Sequence, residues 1–252
     1  EGPDVQWPVE NGKVLKVNYL GKNIETTTVC WCVIHFKGHP MGGYGGALKQ
    51  LSIGCASSAG KAYIHSGGKV TDQHILWENC AEQDTFLEAM ADAASTVAKH
   101  FAGKIAYVAV MKNLSVDCDC CAVAEDPCMN DVGILSSLDP VALDRACIDL
   151  VINSNDPGRD HFMERVNSRH GTHTIDTAET LGIGTQEYKL VRCKRPICLN
   201  KPKPQKSIRR AERRLSARRM LLLSVQYLFQ VCFRVARGRQ VVLLNEKVQY
   251  IR

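Results

Sequence analysis

The chain has 252 residues, 45% of them hydrophobic and 23% charged. That is ordinary for a globular protein with a substantial core and excludes a mainly disordered chain. The net charge of +6 conceals a division: residues 1–191 hold 15 Lys+Arg against 24 Asp+Glu, and residues 192–252 hold 17 against 2. No stretch approaches the roughly 18 uninterrupted apolar residues of a membrane-spanning helix. With no secretory signal legible before the 12 cysteines, reduced thiols and a cytoplasmic location are expected.

Residues 1–11 read as irregular, and residues 13–19 alternate as a strand does, with a turn at Gly21. Residues 26–36 are β-branched and apolar and read as a buried strand. Five glycines make 38–46 a loop, 47–53 can start a helix, and 54–60 is a second small-residue stretch. Helical periodicity is clearest over 86–101, with Asp84 as N-cap and Gly103 as stop. A strand at 104–111, a long loop at 113–130 and a short buried strand at 132–135 follow. Asp139-Pro140 then opens a helix that runs to about Asn153. Helices at 161–169 and 175–181 and a strand at 186–191 complete an alternating pattern. The fold class is α/β, with a mixed or mostly parallel sheet flanked by helices. Residues 1–191 form the domain. Residues 192–252 form a basic tail, disordered or partly helical: a Pro/Lys linker at 201–206, a dense basic run at 207–219 and a broken apolar run at 220–233.

Three constellations carry chemistry. His35, Lys37 and His39 alternate along one strand and would share a face, suiting a metal or an anionic ligand; two ordinary solvated histidines are the plain alternative. The segment Gly42-Gly43-Tyr44-Gly45-Gly46-Ala47-Leu48-Lys49 can bring backbone amides to an anion, with Lys37, Gly45, Gly46, Lys49 and Lys61 as anion or substrate binders. It is not a Walker A sequence, and a tight structural turn explains it equally well. Cys118-Asp119-Cys120-Cys121, with Asp131 nearby, places thiolates and carboxylates after a strand, where iron or zinc would bind. Free buried thiols are the alternative. The metal-ligand candidates are Cys118, Cys120, Cys121, His35, His39 and Asp131. Cys30, Cys32 and Cys147 fall on apolar elements and are expected in the core.

Several longer strings carry a resemblance. Residues 35–61 run His-Phe-Lys-Gly-His-Pro-Met-Gly-Gly-Tyr-Gly-Gly-Ala-Leu-Lys and on to Lys61, followed by His65-Ser66. Further along come Cys118-Asp119-Cys120, Asp131-Val132-Gly133-Ile134-Leu135, Asp139-Pro140-Val141-Ala142-Leu143-Asp144 and Arg169-His170-Gly171-Thr172-His173-Thr174. Over residues 12–191 the chain resembles the family catalogued as domain of unknown function 362, often called uncharacterised iron–sulfur centre proteins. That resemblance implies a cytoplasmic α/β protein that often carries an inserted ferredoxin-like module with two four-iron clusters. Here only residues 66–75 fill the place of that insertion and no Cys-x-x-Cys-x-x-Cys run exists, so no ferredoxin-type cluster motif is present. The family's N-terminal portion is expected to precede Glu1.

Three functions stay open at this point. One is a redox protein using an iron–sulfur cluster or a transition metal at a Cys/His site. Another is a metal-independent enzyme holding a small anionic substrate on the glycine-rich loop. In the third, the basic tail binds nucleic acid or an anionic membrane, unless the tail is a read-through or frame-shifted translation without a selected role. The expected partners are a small anionic ligand or a redox partner.

Overall fold

A computed structural model describes residues 3–192 and 241–245. The chain begins with β1 (Asp4–Pro8) paired antiparallel with β2 (Val17–Gly21). Pro3 just before it and Pro8 at its end hide β1 from a pattern reading, but Pro8 suits an edge strand's last position. The strand expected at 13–19 is shortened for a definite reason. The N–H groups of Lys13, Val14 and Leu15 donate to the buried Asp92 carboxylate at 3.0, 2.7 and 2.8 Å, so they are not available to a ladder.

β3 (Cys30–His35) is followed by β4 (Lys37–His39), β5 (Gly43–Gly45) and a single turn α1 (Ala47–Lys49) that continues as a π turn to Gly54. The expected glycine loop is thus a hairpin, with Lys37 opposite Gly45 and His39 opposite Gly43. Gly43 has φ +77°, and a side chain there would collide with the Gly171 backbone at 2.8 Å. α2 (Ser58–His65) precedes α3 (Gln83–His100). The α3 N-cap is Glu82; Asp84 sits in the first turn instead, and Gly103 (φ +71°) follows the helix. β6 (Ile105–Met111), β7 (Gly133–Ser137), α4 (Pro140–Ile152), α5 (Arg159–Ser168), α6 (His173–Thr180), β8 (Lys189–Arg192) and β9 (Val241–Asn245) complete the described elements. Asp139 caps α4 as its sequence implies, accepting from the N–H of Val141 (2.8 Å) and Ala142 (2.9 Å).

The central sheet has the order β3-β6-β7-β9-β8. β3 and β6 are parallel, as are β8 and β9, while β7 runs antiparallel to both β6 and β9. The fold is α/β with a mixed sheet. β9 lies within the segment set apart by its charge, so the sheet draws on both sides of that boundary. The helical and linker expectations at 201–233 fall outside the described residues. Cys32, Ile34, Tyr107, Ala109, Met111 and Leu135 from the sheet share one core with Ala94 and Val97 of α3, Val141 and Ala146 of α4, and Phe162 of α5.

One buried acid holds the glycine hairpin to this core. Asp144 of α4, fully buried, accepts from Tyr44 Oη (3.1 Å) and from the N–H groups of Ala47 (2.7 Å) and Leu48 (3.0 Å). Burial pushes its carboxyl up to about 6 despite those three donors. Removing it orphans two buried amides and a phenol. Asp144→Ala is therefore expected to lower stability by about 3–5 kcal/mol in urea unfolding, whereas an exposed control such as Glu25→Ala changes it by less than about 0.5 kcal/mol.

Candidate functional site

β4 positions the site. After β3 the chain leaves the sheet: Phe36 N–H donates to Val110 O (3.0 Å), and then Gly38 N–H donates to Ser115 O (2.7 Å). A Cβ on Gly38 would lie 2.3 Å from Val116 O, so only glycine lets the cysteine loop rest directly on β4. The loop itself is pinned at several points. Leu114 and Met129 form a bridge, Asp117 N–H donates to Ser115 Oγ (3.0 Å), and Arg165 of α5 donates to Asp117 Oδ1 (2.9 Å) and Val116 O (3.2 Å). Cys121 N–H donates to Cys118 O (2.9 Å), closing a turn that folds Cys118 and Cys120 toward each other.

His35, Lys37 and His39 all meet this loop. His35 Nδ1 lies 2.9 Å from Asp119 Oδ1, and its Nε2 lies 2.6 Å from Lys112 O. Both of its ring nitrogens therefore face acceptors, and neither is open to a metal. Lys37 Nζ pairs with Asp119 Oδ2 at 2.8 Å. One ring nitrogen of His39 and the sulfurs of Cys118 and Cys120 lie within 4.8 Å of one another. Cys118 and His39 are buried and Cys120 is exposed.

The electrostatics of the two thiols diverge. Burial raises Cys118, but hydrogen bonds from the Cys120 thiol and the Cys120 N–H, with the Lys49 and Lys37 ammoniums, outweigh it and leave Cys118 below an ordinary thiol. Lys49 Nζ stands 3.5 Å from Cys118 Sγ. Burial and the neighbouring Cys118 push Cys120 up, so Cys118 is the more acidic thiol of the pair. His39 is held neutral: burial first, then Lys49, His65, Lys37 and Arg165, lower it to about 3. Its Nδ1 accepts from the N–H groups of Met41 (3.2 Å) and Gly42 (2.9 Å), which places the ring proton on Nε2.

The other candidates stand apart from the thiols. Asp131 binds Asn113 N–H (2.9 Å) and Lys112 Nζ (3.0 Å). Cys121 lies outside the three-donor group, and Cys128 donates to Leu114 O across the loop. Gly45 lies between two lysine stems: a Cβ there would meet Lys37 Cε at 3.3 Å and Lys49 Cδ at 3.5 Å. Gly46 rests against the Asp144 carboxylate, and Lys61, on α2, acts on the His65 ring. In the sequence Asp119 and Asp144 stand only as members of longer strings, and Arg165 is not singled out, so none of the three is among the site candidates. A carboxylate between two cysteines, and another on the inward face of a helix, were the available signals.

Residues 2–149, more than half of the chain, match the family model described as a domain of unknown function (DUF362). The chain belongs to the DUF362 family. The matched span of this DUF362 protein takes in the hairpin, the cysteine loop and most of α4. No curated protein and no solved structure matches it.

An iron–sulfur cluster asks for four protein ligands, generally thiolates, and among the described residues only two thiols converge with one imidazole. That group could hold one thiophilic ion. Cys118 and Cys120 suit it, but a ligating histidine normally donates its second ring N–H, whereas His39 Nδ1 accepts from two amides. His39 gains a lone pair for a cation only by giving up those contacts.

The thiolate of Cys118 sets a measurable pH dependence. Because only the thiolate reacts, Cys118 alkylation by iodoacetamide should rise with pH and reach half its maximum at a lower pH than an unperturbed thiol does. Lys49→Gln should move that midpoint upward, as followed by mass spectrometry of the 118–121 peptide.

Proposed function

We propose that this DUF362 protein is a thiol redox protein in which Cys118 and Cys120 cycle between dithiol and disulfide. The supporting observation is the turn that brings the Cys118 and Cys120 sulfurs within 4.8 Å of each other, with Lys49 Nζ 3.5 Å from the buried one. The Cys118 thiolate attacks one sulfur of a small disulfide, and the S–S bond breaks to release the first thiolate. Cys120 passes its proton to that leaving group and attacks Cys118 Sγ, releasing the second thiolate and closing the Cys118–Cys120 bond. Two electrons leave the protein dithiol, and the external disulfide becomes two thiols. Reduced resting thiols suit the cytoplasm. Among the described residues no helix is long and apolar enough to cross a membrane.

A second reading has one specific support, the convergence of His39, Cys118 and Cys120: a soft transition-metal ion held by the two thiolates and the imidazole. The two readings separate in one anaerobic experiment. The reduced protein is treated with bis(2-hydroxyethyl) disulfide and mapped by mass spectrometry, with and without one equivalent of zinc. The dithiol reading expects a Cys118–Cys120 disulfide in the wild type, a trapped mixed disulfide on Cys118 in Cys120→Ser and no reaction at the site in Cys118→Ser. It also expects zinc to be displaced by oxidation. A tight zinc complex that resists the disulfide and is lost in His39→Ala would establish the metal reading instead.

A further inference from the structure

Resting on the dithiol reading, the arrangement of charges narrows what the pair accepts. Lys49 Nζ has the Cys118 sulfur 3.5 Å away, and Lys37 Nζ is bound to Asp119, the residue between the two cysteines. The stems of both lysines pass Gly45, where no side chain separates them. His35 leans on the same Asp119 carboxylate from the other side, and the Asp117 carboxylate is already engaged by Arg165. Around the thiols, then, two ammoniums and a guanidinium face two carboxylates and, in the reactive form of Cys118, one thiolate.

That balance changes during the reaction. When Cys118 attacks a disulfide, its negative charge departs with the leaving thiolate and its sulfur becomes a neutral disulfide sulfur. Lys49 then stands half-buried beside the mixed disulfide without its counter-charge. The neighbouring carboxylate of Asp119 is already shared by Lys37 and His35. An anionic substituent on the half of the substrate joined to Cys118 would restore the pairing at the step where the protein loses it. A cationic substituent would place like charge beside Lys49 and Lys37 and be rejected.

We infer that the Cys118–Cys120 pair takes small disulfides bearing a carboxylate a few bonds from sulfur, and that Lys49, with Lys37 beside it, holds that carboxylate. The exposed Cys120 marks the open side from which the second attack comes. The rim therefore acts on substrate choice rather than on the chemistry of sulfur exchange, which any accessible disulfide can undergo.

The test uses the full reduced chain and three aliphatic disulfides of matched length. They are 3,3′-dithiodipropionate (anionic), bis(2-hydroxyethyl) disulfide (neutral) and cystamine (cationic). Each rate is divided by that of a free small thiol with the same disulfide, which cancels intrinsic reactivity. The expected order is anionic over neutral over cationic, with roughly fivefold between the first two at low salt and less at high salt. Lys49→Gln slows all three through the thiolate, but it should also bring the anionic-to-neutral ratio close to one, and Lys49→Arg should keep the ratio. Equal normalised rates in the wild type, or a ratio unchanged by Lys49→Gln, would overturn the inference while leaving the dithiol reading intact. Failure of all three disulfides to oxidise the pair would remove the dithiol reading itself, and this inference with it.

Discussion

The site depends on one backbone contact. Gly38 N–H reaches Ser115 O at 2.7 Å, and the missing Cβ lets Val116 O come where any side chain would stand. That apposition seats the cysteine loop on β4, and β4 brings His39 and Lys37 to it. The other half of the cradle hangs on a buried acid. Asp144 holds the Ala47 and Leu48 amides and thereby aims Lys49 at Cys118. Neither Gly38 nor Asp144 touches the sulfurs, yet without them the thiols, the imidazole and the two ammoniums would not share a pocket.

Within that pocket the charges are arranged against each other rather than added together. Burial alone would leave Cys118 a poor nucleophile, as it does Cys32 and Cys147, whose thiols are raised well above the ordinary value. Among the described cysteines the outcome is reversed at Cys118, by the Cys120 thiol, the Cys120 amide and the Lys49 and Lys37 ammoniums. Burial first, and then the same cations, make His39 a neutral ring. Its Nδ1 is engaged by the hairpin amides, which makes it a structural clasp between β4 and the following turn as well as a neighbour of the thiols. A metal ion at this place would compete with the lysines for the thiolates and with the amides for the imidazole.

Much of the fold was legible because its signals are local. The apolar face of α3, the Asp139-Pro140 opening of α4 and the β-branched run of β3 each follow from side chains within a few residues of one another. Elements misjudged from sequence were those whose backbone partners are distant or whose residues carry no side-chain pattern. Residues 13–15 look like strand but give their amides to Asp92, 77 or more residues away. The glycine segment 38–46 looks like loop because glycines carry no periodicity, and it folds as a hairpin through its own ladder. β9 could not be anticipated from a segment whose charge marks it as separate, since a strand's place in a sheet is set by which edge its backbone meets.

For the site, the chain by itself determined the inventory: a Cys-Asp-Cys-Cys turn, a His-x-Lys-x-His strand and a glycine segment ending in lysine. Strand alternation put His35, Lys37 and His39 on one side, and all three do meet the loop. Tertiary structure alone decided their separate parts. It closed both nitrogens of His35, placed Asp131 on Lys112, set Lys49 on Cys118 and made Cys118 the more acidic of the two thiols. The reason is physical. A residue's type is local, but the pKa and free lone pairs of a group depend on what lies within a few ångströms of it, and for His35 and Cys118 neighbours that matter come from segments about 70 or more residues away in the chain.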